Sequence, residues 1–188
     1  RNACERFGAR YYRDYKELLE KEKELDGIVV ALPNHMHYQG CVDAIEAGFQ
    51  NILCEKPLCI SSEQSAKLVE LVREKGIMFQ TAYMKRFNPG FRKIRELADQ
   101  MGEMEFVTFS IFNAAPEPEI SGEKELGSWH DDAKLSGGGF LTHSGSHHLD
   151  LLRYCFGEIH SVACKCRYDN KDGRDYFLDA DLKMESGI

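Results

Sequence analysis

The chain has 188 residues, and its 31 Asp and Glu residues outnumber its 24 Lys and Arg residues, which gives a formal net charge of −7. With 43% hydrophobic residues it can bury a core, but it has no apolar run near the roughly 20 residues of a membrane span. The acidic balance also disfavours nucleic acid as a partner. These properties predict a globular protein that binds neither nucleic acid nor membranes.

The cysteines indicate a reducing compartment. Seven are present, an odd number, and none form a Cys-x-x-Cys pair, so neither a secreted disulfide framework nor a zinc knuckle is indicated. We therefore expect reduced thiols in a cytoplasmic protein. Because the sequence starts at Arg1 without an initiator Met or a signal-like region, we also expect the 188 residues to be part of a longer protein.

The first part of the sequence alternates between helical and strand-like segments. Apolar spacing predicts helices over residues 10–25, 37–47 and 61–75, and short apolar runs predict strands over 28–32, 51–54 and 77–82. This alternation is typical of parallel strands joined by helical crossovers, a doubly wound sheet. Ligands of such sheets bind beyond the carboxyl ends of the strands, so residues 33–37, 55–61 and 83–88 are expected to line the site.

The second part has a different pattern. A helix is predicted over 89–101, a long strand over 103–112, a polar loop of about 25 residues after it, a helix over 142–156, and strands over 159–167 and 176–184. This order indicates an incomplete α+β domain. We place the division near residues 83–89, with one domain over 1–86 and the other over 87–188.

The segment Cys54-Glu-Lys-Pro57 brings an acid and a base directly to the ligand-binding edge. Lys56, partly desolvated beside Glu55, can donate to a substrate hydroxyl and stabilise negative charge that develops on its oxygen. The alternative is an ordinary turn with a surface ion pair.

Three histidines fall in the predicted helix over 142–156. His143, His147 and Asp150 share one face, and His148 shares another with apolar residues, which favours a core or supporting position for His148. His147 can act as a general acid or base near pH 7. The i,i+4 spacing of His143 and His147 also allows a metal site, the less favoured alternative, since Ser144 stands where a His-Glu-x-x-His protease has its Glu.

Two further features precede this helix. The run of three glycines, 137–139, can let the backbone approach a ligand closely, or it can be a flexible turn. The segment Trp129-His-Asp-Asp132 lies in the long loop, where it can line or cover a pocket. The alternative is a packed Trp129 among solvated acids.

Four motifs together resemble the glucose-fructose oxidoreductase, inositol dehydrogenase and MocA (Gfo/Idh/MocA) family over essentially the whole chain. They are Ala31-Leu-Pro-Asn-His-Met-His37, Cys54-Glu-Lys-Pro-Leu58, Tyr83-Met-Lys-Arg-Phe87, and Gly137-Gly-Gly with Gly145-Ser-His-His-Leu-Asp150. The resemblance implies an NAD(P)-binding Rossmann domain followed by an α+β domain with an open, mainly antiparallel sheet. It further implies an enzyme that oxidises or reduces hydroxyls of sugars, sugar derivatives or polyols with NAD or NADP.

The resemblance, taken together with the loop and histidine features above, suggests roles for residues of this chain. Lys56 and His147 are expected to be catalytic. The expected substrate-binding residues are Lys56, Trp129, His143 and Asp150. The expected cofactor-binding residues are Leu32, Pro33, Asn34, His37, Glu55, Lys56 and Arg86, and no metal is expected.

This sequence departs from the family pattern at two points. His143 stands where the pattern has an aspartate, so we expect the pKa of His147 to be less elevated than in an Asp-paired site. The family's Gly-x-Gly-x-x-Gly loop has no counterpart, and Arg1 lies next to the position that would select between NAD and NADP. The alternatives within the family are an NAD-assisted glycosidase and a non-catalytic dinucleotide-binding sensor. An open sheet favours a homodimer or homotetramer.

Overall fold

The computed structural model describes residues 2–111, 129, 132–170 and 173–188. Seven α-helices and five strands lie within these residues. The helices are α1 (Asn2–Phe7), α2 (Tyr15–Lys21), α3 (His37–Glu46), α4 (Ser62–Lys75), α5 (Pro89–Ala98), α6 (Ala133–Ser136) and α7 (Ser146–Phe156). The strands are β1 (Ile28–Val30), β2 (Asn51–Cys54), β3 (Met78–Thr81), β4 (Ile159–Tyr168) and β5 (Asp175–Met184).

The first three strands form a parallel sheet in the order β1-β2-β3, which confirms the predicted α/β architecture. Ile28 pairs with Ile52, and Cys54 pairs with Thr81. Along β2 the side chains alternate between buried and exposed positions, so one face of the sheet packs against α3, and Leu68 of α4 joins the same core. The core of this unit consists of Leu19, Val30, Cys41, Ala44, Ile45, Phe49, Ile52, Cys54, Cys59, Leu68 and Ile77.

Local signals determine where these helices begin and end. The Ser61 hydroxyl accepts a hydrogen bond from the Gln64 amide at the start of α4, and Gly76 ends that helix with φ 65°. In α3, a Cβ on Gly40 would lie 2.8 Å from Leu32 Cδ1 and 3.3 Å from Val30 Cγ1, so the glycine permits close packing of α3 on β1 and the residues after it. The helix predicted over 10–25 is shorter, beginning only after Asp14 caps α2.

The second part of the chain contains α5, α6, α7 and an antiparallel pair, β4 and β5, with Cys164 opposite Ala180. A π-helical turn, Leu141–Gly145, leads directly into α7, which packs against α5. The predicted strand over 103–112 is wrong over 103–111, which belong to no helix or strand, and residue 112 lies outside the described range. Alternating hydrophobicity does not provide the partner strand that a ladder of hydrogen bonds requires.

The β4–β5 pair exposes apolar side chains, among them Val162, Tyr176 and Phe177. The predicted homo-oligomer and the division into residues 1–86 and 87–188 both stay predictions. Within the described ranges, no helix has the length and apolar character needed to cross a membrane.

Candidate functional site

The segments that follow β1, β2 and β3 meet at one edge of the parallel sheet. The Glu55 amide donates to Val30 O over 2.9 Å, and the Ala82 amide donates to Cys54 O over 2.8 Å. These bonds hold the three segments side by side where the strands end. The segments expected to line the site therefore meet at this edge, and Glu55 and Lys56 lie next to the segment of residues 83–88.

Lys56 connects this edge to the histidine-containing segment 87 residues later. Its Nζ donates to the backbone oxygen of His143 over 2.8 Å. Burial lowers the pKa of Lys56, and the positive charge of Lys85 lowers it further, while Glu55 acts in the opposite direction. The predicted partial desolvation of this lysine is thus present, and its ammonium lies beside a turn that positions the histidines.

His147 is buried at the centre of this group, with 7% of its surface exposed. Burial lowers its pKa, and the charges of Lys56 and Lys85 lower it further. The ring of Tyr83 meets the imidazole edge-on at 5.9 Å between centroids. The Nδ1 atom of His147 is buried and has no hydrogen-bond partner in the described part of the protein. The imidazole is therefore neutral near pH 7, the state in which it can accept a proton.

Lys85 is a member of the site that was not predicted from the sequence. Its Nζ lies 2.9 Å from His148 Nε2, and His148 Nδ1 lies 2.8 Å from the backbone oxygen of Ser144. Since a carbonyl only accepts, Nδ1 carries the proton and Nε2 accepts from the ammonium. His148 is thus neutral and holds Lys85, in agreement with its predicted supporting position. The location of Lys85 just beyond β3 was the available signal.

Arg86 and Asp150, which were predicted to contact the cofactor and the substrate respectively, are brought together. Arg86 Nε donates to one carboxylate oxygen of Asp150 over 2.8 Å, and Nη2 donates to the other over 2.5 Å. Asp150 is 6% exposed, and the guanidinium also lies over the ring of Tyr154. The two side chains form an ion pair with each other in this structure, and their predicted ligand contacts stay predictions.

Asn34 and His37, both expected at the cofactor, also have protein partners. Asn34 Nδ2 donates to Ser136 O over 2.8 Å. The two ring nitrogens of His37 each lie 2.7 Å from a backbone oxygen, one of Leu32 and one of Pro57. These side chains hold the binding edge together through backbone oxygens, and their predicted cofactor contacts stay predictions. The other expected cofactor residues, Leu32, Pro33 and Glu55, are partly exposed at this edge.

The glycine run approaches the protein backbone, not an open ligand site. The amides of Gly139 and Leu141 donate to the two carboxylate oxygens of Asp175 over 2.8 Å and 2.7 Å. A Cβ on Gly139 would lie 2.1 Å from the Asp175 backbone oxygen. This contact attaches the start of the histidine-containing segment to β5, which favours a structural role for Gly139 over ligand approach.

Trp129 stacks on His143, with 5.9 Å between ring centroids and 24° between planes. The two expected substrate-binding residues thus form one aromatic surface. Residues 130 and 131 of the predicted lid lie outside the described residues. In the parts of the chain that the structure describes, no three His, Cys, Asp or Glu side chains are placed to hold a metal ion.

Two family models match this chain. Residues 1–83 match the Gfo/Idh/MocA oxidoreductase family model with an NAD-binding Rossmann fold, and residues 91–188 match the Gfo/Idh/MocA C-terminal domain model. The chain is 30% identical to scyllo-inositol 2-dehydrogenase (NAD(+)) of Bacillus subtilis over 93% of this chain and 48% of that protein. It is 26% identical to levoglucosan dehydrogenase of Pseudarthrobacter phenanthrenivorans over 85% of this chain and 40% of that protein.

Solved structures show the same fold. The WlbA dehydrogenase of Bordetella pertussis, in complex with NADH and UDP-GlcNAcA, superposes with a TM-score of 0.85 at 22% identity, over 99% of this chain and 53% of that one. An NAD-binding protein of Listeria innocua gives a TM-score of 0.81 at 25% identity, over 100% and 52%. The chain spans about half the length of these proteins, and half or less of the two curated relatives.

Proposed function

The chain belongs to the Gfo/Idh/MocA oxidoreductase family, and on that premise we propose that it carries the catalytic groups for hydride transfer between NAD or NADP and a hydroxyl or keto group of a sugar, sugar derivative or polyol. Relatives named scyllo-inositol 2-dehydrogenase (NAD(+)), levoglucosan dehydrogenase and D-xylose 1-dehydrogenase (NADP(+)) support this class of reaction. The observation that carries the proposal is the buried, neutral His147 beside Lys56.

In the oxidative direction His147 removes the hydroxyl proton of the substrate. Its lowered pKa keeps the imidazole unprotonated near pH 7, so a proton-accepting nitrogen is available. Lys56 donates a hydrogen bond to the same oxygen and offsets the negative charge that develops there. Because Lys56 is partly desolvated and already oriented by His143 O, little reorganisation accompanies this step.

The edge of the parallel sheet fits a nicotinamide cofactor. The segments after β1 and β2 lie side by side there, and the buried His147 Nδ1 without a partner marks a polar group that a ligand can satisfy. Leu32, Pro33, Glu55 and Lys56 are the residues proposed to line it. When bound, the cofactor supplies the hydride acceptor or donor.

The stacked rings of Trp129 and His143 are proposed to hold the carbon face of the substrate. Aromatic faces accept the C–H groups of a sugar or polyol ring, and the hydroxyls then point toward polar neighbours. Lys56 donates to the backbone oxygen of His143, so its ammonium lies next to this aromatic surface.

The test measures NAD(P)H formation by the purified protein across a panel of sugars, sugar derivatives and polyols. Lys56→Met and His147→Gln should each lower kcat by at least about 100-fold, the lower range for a lost general base or charge donor. Lys93→Met is the control, since Lys93 is paired with Glu96 at the surface. Turnover of both variants within a few-fold of wild type would exclude the assignment, and sugar release without net NADH would indicate the glycosidase alternative.

A further inference from the structure

Two ammonium groups at the site have no carboxylate ion-pair partner among the described residues. Lys56 donates to a backbone oxygen and Lys85 donates to a neutral imidazole, and neither belongs to an ion pair within the described residues. Each ammonium gives one of its three N–H groups to these acceptors. Two positive charges within electrostatic reach of each other therefore keep donors for a further acceptor.

Among the described residues, the acids nearby offset this pair only in part. Both oxygens of Asp150 are taken by Arg86. Glu55 offsets part of the charge of Lys56, and its Oε2 accepts from the Lys56 backbone amide at 3.1 Å. Lys56, Lys85 and Arg86 together outnumber Glu55 and Asp150. The chain as a whole has a net charge of −7 and would repel an anion. A local excess of positive charge is therefore required for an anion to bind at this site.

The position of Lys85 is fixed by His148, which lies on the same helix as the proposed base. His148 directly follows His147, accepts from Lys85, and is itself fixed by the Ser144 carbonyl. The ring of Phe109 packs against His148 at 5.5 Å between centroids. This arrangement holds the Lys85 ammonium near His147 and leaves its positive charge in place. The neutral imidazole of His148 accepts a hydrogen bond but supplies no negative charge.

We propose that Lys85 and Lys56 together bind an anionic group of the substrate, a carboxylate or a phosphate, so that this site prefers acidic sugars to neutral ones. His148 acts as a positioning residue for Lys85. The inference rests on the proposed function, because it assigns the substrate class of that same site.

Calorimetric titration tests the preference directly. The purified protein is titrated with D-glucuronate, D-glucose 6-phosphate and D-glucose at low ionic strength. We expect at least one of the two anions to bind roughly tenfold or more tightly than D-glucose, as charge-assisted hydrogen bonds require. The two anions distinguish carboxylate from phosphate recognition. Equal or weaker binding of both anions relative to D-glucose overturns the proposal.

Substitutions assign the preference to this lysine. Lys85→Met should reduce the ratio of anion to glucose affinity several-fold, Lys85→Arg should retain most of it, and the exposed Lys93→Met should leave it unchanged. His148→Leu should also reduce the ratio, and His148→Gln, which keeps an acceptor, should recover part of it. An unchanged ratio in Lys85→Met overturns the role of Lys85.

Binding and turnover separate the two proposals. Anion preference without NAD(P)H formation leaves the anion site standing and contradicts the oxidoreductase function. Turnover of neutral sugars with no anion preference supports the oxidoreductase function and contradicts the anion site.

Discussion

Both oxygens of the Asp150 carboxylate accept hydrogen bonds from the Arg86 guanidinium, and this pair joins the segment after β3 to helix α7. The guanidinium is partly exposed, whereas Asp150 is buried. The pair therefore fixes the helix that carries His147 relative to the sheet edge that carries Lys85. Loss of one partner leaves the other without compensation for its charge.

Asp150→Asn should lower the free energy of unfolding by about 2 kcal/mol, because it removes the charge that compensates Arg86 while keeping the size of the side chain. Exposure of the guanidinium keeps the loss below that of a fully buried pair. Urea denaturation measures it. Glu96→Gln, which breaks the exposed pair with Lys93, is the control and should be nearly neutral. Equal effects of the two variants would contradict this role.

Features that depend on neighbouring residues were predictable from the sequence, and contacts between distant residues were not. The strand at 51–54 and the helix that ends at Gly76 follow from local patterns, and both are confirmed. The contact between Lys85 and His148 spans 63 positions, and no periodicity reports it. The strand prediction over residues 103–111 was wrong for a related reason: an alternating pattern cannot show whether a partner strand is present.

His37 should make stability depend on pH. Burial alone would lower its pKa, but contacts with the Cys54 side chain and with the backbone oxygens of Pro57 and Leu32 outweigh burial and raise it. A carbonyl on each side of the ring favours the doubly protonated imidazolium. Because the pKa is raised in the folded state, the stabilisation is complete below the unfolded pKa of about 6.5 and is lost as the pH rises through the folded value.

The comparison of wild type with His37→Phe measures this effect. The variant keeps a ring and removes both donors, and it should unfold about 2–3 kcal/mol more easily at pH 6. The difference between the two proteins should shrink as the pH rises above about 6.5. Urea denaturation at a series of pH values provides the measurement. A difference that stays constant or grows with pH would rule out the imidazolium.

Gly139→Ala should destabilise the attachment of the histidine-containing segment to β5. The new Cβ would lie 2.1 Å from the Asp175 backbone oxygen and 2.6 Å from its nitrogen, and backbone atoms cannot move aside as a side-chain end can. We expect a loss of about 3 kcal/mol in thermal or urea unfolding. Gly8→Ala is the control, because Gly8 has open space and only its φ of 64° opposes alanine, a cost of about 1 kcal/mol. Equal losses of unfolding free energy in the two variants would show that the Asp175 backbone moves to accommodate the added Cβ.

Lys85 should set the protonation of His147. Burial lowers the pKa of His147 first, and the charges of Lys56 and Lys85 lower it further. Lys85→Met removes one of these charges, so the pKa should rise toward the ordinary value of about 6.5. A base acts when it is unprotonated, so the acidic limb of kcat/KM should move to higher pH in the variant. NMR titration of the His147 ring carbon measures the same pKa without turnover. The shift should be absent in Lys93→Met, and a His147 pKa that is unchanged or lowered in Lys85→Met would show that Lys85 does not act on this imidazole.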